Sequence, residues 1–176
     1  HSGVLGSQTQ VRVRGSEANQ VLVLIDGVRA NDPATGDEFR WDHLATANIE
    51  RIEIVRGPQS AVWGSDAIGG VVHIITRSGN DARGFNGYLE TGSEDTLNGS
   101  VSGGFGGDNW SVGLGYEQLN TDGSNISRTG DEKDDADMST ASLNARVQAS
   151  SALAIRMGIR SVDAYSQFDA VDFFVT

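Results

Sequence analysis

The sequence predicts an α+β unit over residues 1–80, followed by a run of antiparallel strands over residues 81–176. Three observations predict it. Up to residue 77 the apolar residues come in short continuous runs broken by turn signals, as in a compact mixed unit. From about residue 84 those runs vanish and period-two alternation replaces them. The chain also holds 23 Gly against two Pro, a balance that suits tight turns and strands better than a disordered linker.

In the first part, Val11-Arg12-Val13-Arg14 alternates as a short strand would. Val21–Ile25 is a continuous apolar run, and Asp26-Gly27 after it favours a two-residue hairpin turn because Gly accepts positive φ. Asn31-Asp32-Pro33 opens a polar loop that runs to about Glu38, and residues 41–45 fit one helical turn. Ile52-Glu53-Ile54-Val55 reads as a strand closed by Arg56-Gly57-Pro58. Pro58 is expected in the first turn of a short helix, where its missing N–H costs nothing, with Gly64 ending that helix after Trp63. Val71-Val72-His73-Ile74-Ile75, after Gly69-Gly70, has the pattern of a buried strand.

In the second part, Leu97, Val101 and Phe105 share one face with Gly99 and Gly103 between them, while Asn98, Ser100 and Ser102 take the other. Trp110, Val112, Leu114 and Tyr116 oppose Ser111, Gly113, Gly115 and Glu117. Ala141, Leu143, Ala145 and Val147 oppose Ser142, Asn144, Arg146 and Gln148, and Leu153, Ile155, Met157 and Ile159 oppose Arg156, Gly158 and Arg160. Residues 85–91 fit less cleanly, since Tyr88 points away from Phe85 and Leu89. Gly107-Asp108 and Ser150-Ser151 are minimal turns, whereas the link from about Asn120 to Met138 is long and polar. Short turns at one end and longer loops at the other match a transmembrane barrel. A water-soluble β-meander would alternate in the same way, so the pattern alone leaves both open.

Composition bounds the function. Thirteen Lys+Arg against 24 Asp+Glu give a net charge of −11, which argues against nucleic acid as a partner, because phosphate binding needs a basic face. With no Cys, disulfide and thiolate-metal chemistry are excluded. No apolar run reaches the roughly twenty residues of a membrane-spanning helix, but barrel strands need only about ten with alternate residues apolar. His1-Ser2-Gly3 carries no secretory signal pattern, and the chain is expected to be an interior piece of a longer protein.

Three stretches narrow the reading. Val21-Leu22-Val23-Leu24-Ile25-Asp26-Gly27-Val28-Arg29, Asn48-Ile49-Glu50-Arg51-Ile52-Glu53-Ile54-Val55-Arg56-Gly57-Pro58, and the segment from Ser60 through Gly69-Gly70 to Thr76 together resemble the plug signature of TonB-dependent outer-membrane receptors. They stand in the family's order and spacing and lead directly into the strands. The third stretch looks closest to the vitamin B12 (cobalamin) receptor branch, and siderophore receptors share much of it. The resemblance implies an α+β plug followed by antiparallel transmembrane β-barrel strands, here a partial barrel. Barrels of this class have about 22 strands around a plugged lumen, of which this chain would supply about five.

What the resemblance implies for function is a bacterial outer-membrane receptor in contact with lipid. It binds a scarce extracellular small molecule, cobalamin first or a ferric siderophore second, and imports it with energy from TonB, engaged through a coupling segment missing here. A non-transport binding or adhesion protein on the same scaffold is the alternative. No covalently bound cofactor and no catalysis are expected. Ser65, Asp66 and His73 are residues of a hydrolytic type, but Ser65 lacks a nucleophile-elbow sequence. Asp32, Ala34, Thr35, Gly36, Asp37 and Glu38 would form an outward plug loop facing ligand. Arg14 and Arg56 would hold the plug to barrel-wall carboxylates, with Glu90 and Glu117 as local candidates. The loop from 120 to 138 holds Asp122, Asp131, Glu132, Asp134, Asp135 and Asp137. The resemblance implies calcium there, with Asp135, Asp137 and Asp122 as ligands, since hard cations take several carboxylate oxygens. A plain solvated acidic loop is the competing reading.

Overall fold

The computed structural model describes residues 6–77, 79, 83–125 and 133–167. Two sheets carry them. The first is mixed, with order β2-β1-β4-β3, and consists of β1 (Val21–Ile25), β2 (Val28–Arg29), β3 (Ile49–Arg56) and β4 (Gly70–Thr76). β1 runs parallel to β4, while β2 and β3 are antiparallel to their neighbours. The two most continuous apolar runs take the central places, as burial on both faces requires. Val21, Val23, Val72 and Ile74 pack with Phe39 on one side, and Leu22, Leu24 and Val71 pack with Ala67 on the other.

Side chains from loops complete this sheet. At the Asp26-Gly27 turn both residues have positive φ, 51° and 85°, as a two-residue hairpin needs. The Asp26 carboxylate accepts the Thr76 N–H at 2.9 Å and the Thr76 hydroxyl at 2.6 Å, tying the hairpin to the end of β4. β2 pairs only with Leu24 and Ile25. Where it runs out, buried Asn31 takes over as a substitute strand. Its Oδ1 accepts the Val23 N–H at 2.7 Å, and its Nδ2 donates to the carbonyls of Val21 at 3.0 Å and Asp37 at 2.9 Å.

Three local expectations need correction. Residues 11–14 form no strand, because the chain turns at Arg14-Gly15, both at positive φ, and the Ser16 N–H donates to the Val13 carbonyl at 3.1 Å. Val13 still packs on the core, so its alternation reports burial without a ladder. Helix α1 (Ser60–Trp63) starts two residues after Pro58, with Gln59 as its N-cap residue. The Gln59 N–H is spent on the Ala67 carbonyl at 2.8 Å, which closes a loop before the helix begins. The helical turn expected over 41–45 is the shorter 3₁₀ turn Trp41–His43.

The second sheet is an antiparallel meander in chain order: β5 (Gly84–Thr91), β6 (Leu97–Gly106), β7 (Trp110–Thr121), β8 (Ala136–Gln148) and β9 (Ala154–Ser166). The links at 107–109 and 149–153 are short and lie at one end; those at 92–96 and 122–135 lie at the other. β6 to β9 have 10, 12, 13 and 13 residues, enough for a tilted membrane crossing. Among the described residues no helix interrupts positions 97–159, and none is long and apolar enough to cross a membrane.

Register puts Phe85, Gly103, Leu114, Leu143 and Ile159 in one cross-strand row. The face holding that row is outward: Phe85 is 76% exposed, Leu114 49% and Ile159 56%. The opposite face holds buried Ser102, Ser111, Glu117 and Thr140. A water-soluble sheet would have the reverse distribution, while a lipid-facing barrel wall has this one. Tyr88 pairs with Ser100 on the polar face and accepts from Asn98 Nδ2 at 3.1 Å, which explains why residues 85–91 alternate poorly.

Removing the Asn31 amide leaves three backbone partners without it, two of them on buried Val21 and Val23. Asn31→Ala should destabilise the mixed sheet by about 2 kcal/mol. The check is amide exchange in the complete protein, where protection of the Val23 N–H should fall selectively.

Candidate functional site

The mixed sheet lies against the polar face of the meander, and small residues on β7 make the approach possible. A Cβ added at Gly115 would stand 2.9 Å from Ser142 Oγ and 3.6 Å from Asn48 Cβ. One added at Gly113 would stand 2.6 Å from Asn144 Oδ1. Into the space these glycines leave come four polar links. Ala47 N–H donates to Glu117 Oε2 at 2.9 Å, and Asn48 Nδ2 donates to Ser142 Oγ at 3.3 Å. Asn144 Nδ2 donates to the Arg77 carbonyl at 2.9 Å and lies 3.4 Å from Thr76 Oγ1. Arg160 Nη2 donates to the His43 carbonyl at 2.8 Å. Three of these links end on backbone atoms of the mixed unit, so they depend on its chain path more than on its side chains. The space left between the two layers is a cavity of about 40 Å³, bordered by Leu44, Ile49, Ile74, Ser102 and Thr140.

The 3₁₀ turn Trp41–His43 is braced from within. Asp42, whose side chain is 1% exposed, accepts from Arg40 Nη2 at 2.6 Å and Arg40 Nε at 3.1 Å. Arg40 Nη2 also lies 3.1 Å from His43 Nε2, and the same ring nitrogen lies 3.3 Å from Asp42 Oδ2. Burial lowers the His43 pKa from its ordinary value. Asp42 opposes the shift, and Arg40 and Arg160 reinforce it.

The sequence-predicted residues fall as follows. In the 32–38 loop, Asp32 Oδ1 accepts the Ala34 N–H at 2.9 Å, Asp37 pairs with Arg29 at 2.5 Å, and Glu38 accepts from Gln10 Nε2 at 2.8 Å. The acids therefore hold the loop's shape, and Ala34, Thr35 and Gly36 form its exposed tip. Arg14 and Arg56 are both exposed, and among the described residues neither forms an ion pair. Arg14 Nη1 comes within 3.7 Å of a Cβ position on Gly57, so both arginines gather at one corner. Glu117 meets the mixed unit through Ala47 rather than through either arginine. Asn48, Ser142, Asn144 and Arg160 had no site role from sequence. Their only signal was position: Glu117 follows Ser111, Gly113 and Gly115 on one strand face, and Arg160 shares its face with Arg156 and Gly158.

Asp122 pairs with Lys133 at 3.5 Å, and Asp137 faces Asn120 Nδ2 across the β7–β8 ladder. Among the described residues, Asp135 Oδ1 is buried without a hydrogen-bond partner. Among the described residues no three Asp, Glu, His or Cys side chains converge well enough to hold a metal ion, and Asp131 and Glu132 lie outside those residues. Ser65 Oγ donates to Asp66 at 3.1 Å, whereas His73 lies beside Glu53 at 4.0 Å, so no hydrolytic triad is assembled.

Residues 2–71 match the model of the TonB-dependent Receptor Plug Domain. Over 93 residues, 53% of this chain, the sequence is 44% identical to the vitamin B12 transporter BtuB of Vibrio vulnificus (strain CMCP6), of which it covers 15%. The fold is similar to the siderophore receptor PirA from Acinetobacter baumannii, with a TM-score of 0.68 and 22% identity over 94% of this chain and 28% of that one. It is also similar to the pyoverdine receptor FpvA from Pseudomonas aeruginosa PAO1, with a TM-score of 0.66 and 16% identity over 86% of this chain and 21% of that one. At these identities the structural likeness is one of fold. These relatives are transport receptors rather than enzymes, and the chain spans only a minor part of each.

The braced histidine gives a pH dependence with a definite sign. The folded pKa of His43 lies below its unfolded value of about 6.5. The neutral ring's contribution is therefore complete above that value. It is lost as pH falls toward the folded pKa, because the unfolded segment takes up a proton that the folded one refuses. Protection factors for amide exchange of residues 40–48, corrected for the intrinsic pH dependence of exchange, should fall from pH 7 to pH 5, and His43→Gln should remove that acid-dependent component.

Proposed function

Because this chain belongs to the TonB-dependent outer-membrane receptors, we propose that the complete protein binds cobalamin at the outer face and imports it with energy delivered through TonB. The observation that carries the transport part is the two-faced meander: an exposed apolar face suited to lipid, and a polar face occupied by the mixed unit. A wall built in this way encloses a filled lumen, which a receptor must open only when ligand is present. The choice of cobalamin rests on the 44% identity to a vitamin B12 transporter. A ferric siderophore is the second ligand, because the stretch from Ser60 to Thr76 also resembles that of siderophore receptors.

In this reading the exposed tip at Ala34, Thr35 and Gly36 meets ligand, while Asp32, Asp37 and Glu38 keep the loop in shape. Arg14 and Arg56 anchor the plug to wall carboxylates on strands beyond β9. TonB supplies its energy by acting on the plug. Ligand binding works as a differential contact that shifts the plug between states. No covalent step is required.

Calcium at the 122–137 segment belongs to the proposal as an aid to ligand capture. The described acids do not form a cage by themselves, and the feature that supports a cation is the unpartnered Asp135 oxygen.

Two measurements check the proposal. Cells carrying the complete gene should accumulate labelled cobalamin and lose that uptake when TonB is deleted; TonB-independent accumulation would sink it. Calcium titration of the complete receptor should raise ligand affinity, and Asp135→Asn should weaken the effect. A flat titration of the unaltered receptor removes calcium from the account and leaves the transport reading intact.

A further inference from the structure

The plug is held to β7–β9 by links of one kind and bare on another side. Glu117, Ser142, Asn144 and Arg160 come from three neighbouring strands and hydrogen-bond to two segments, residues 43–48 and 76–77. The glycines at 113 and 115 bring the backbones close enough for these bonds, and the cavity left there is about 40 Å³. That holds a few water molecules at most. Ligand sites for small molecules need about 300 Å³ or more. On β3 and α1 the situation is different. Ile54 is 58% exposed and Val62 74%, and β3 pairs only with β4, leaving its outer edge without a strand partner among the described residues.

We propose that the 43–48 and 76–77 segments stay docked on β7–β9 throughout the transport cycle, so that the path for ligand opens on another side of the plug. The inference rests on the transport reading above and adds which face stays fixed. Glu117 and Asn144 are then positioning residues. They hold the plug's fixed face through backbone atoms, and rearrangement is confined to parts that lack such links. Opening on the β7–β9 side would break all four links together.

The test is a tether placed within the clamp. In the complete receptor, Asn48→Cys and Gly115→Cys put two thiols at Cβ positions 3.6 Å apart, within the range a disulfide requires. Ser142→Ala removes the hydroxyl that a new Cβ at position 115 would meet. The disulfide is expected to form on oxidation, and uptake of labelled cobalamin, or of ferric siderophore if that is the substrate, should be the same with the bridge closed as with it reduced. Uptake in the reduced form that disappears on oxidation overturns the fixed clamp while leaving transport standing. Failure of the bridge to form overturns the clamp geometry. No uptake by the unaltered receptor overturns the transport reading and the clamp with it. Should the triple variant fail to fold, the unaltered receptor supplies a second measurement. Exchange of the Ala47 amide should stay slow in vesicles with ligand and energised TonB present, and its exposure under those conditions overturns the proposal.

Discussion

Side chains along a strand must alternate, and everything between β5 and β9 depends on what each side then meets. One row has only outward surroundings; the other has the mixed sheet a hydrogen-bond length away. The apolar row therefore needs no charges and carries none at Phe85, Leu114, Leu143 or Ile159. The polar row needs small residues so that two backbones can approach, and it has them at Ser102, Ser111, Gly113 and Gly115. A larger residue at Gly115 would separate Asn48 from Ser142 and displace the segment that presents Ala47 to Glu117. The division of faces thus sets both the surroundings of the wall and the seat of the unit inside it.

Within the mixed sheet, the strands alone do not close the structure. β1 is flanked by a two-residue strand, and an asparagine side chain covers the remaining backbone on that edge. The same asparagine reaches the Asp37 carbonyl, so the loop expected to face ligand is coupled to the sheet interior through one amide group. Arg29 extends this arrangement by holding both Asp37 and Asp66. The 32–38 loop is consequently a pre-shaped element with an uncharged tip, and its acids serve its own architecture.

Much of this was legible from the residues. The runs at β1 and β4 are apolar on both faces because both faces are covered, and the Asp-Gly pair marked the hairpin because both positions need positive φ. The alternation of β6 to β9 was legible for the same reason, since each strand meets two unlike surroundings. The strand expected at residues 11–14 was not real, because Val13 is buried by packing alone and alternation cannot reveal whether a ladder partner exists. The links between plug and wall were hidden for a further reason. Ala47, His43 and Arg77 contribute backbone atoms, and no side-chain pattern announces a backbone donor or acceptor. Glu117 stood out as a charge on a bland face, but its partner lay seventy positions away in the chain.

The parallel pairing of β1 with β4 has a mechanical meaning. Tension entering upstream of Val21 and held downstream of Thr76 pulls these two strands from opposite ends. The pair is then loaded in shear: the five register positions from Val21–Gly70 to Ile25–Ile74 share the strain together instead of unzipping one at a time. The Asp26 carboxylate on Thr76 lies at the far end of that ladder, where it acts as a stop against slippage. A sheet wired in this way passes a pull along to whatever is less firmly attached before it comes apart itself.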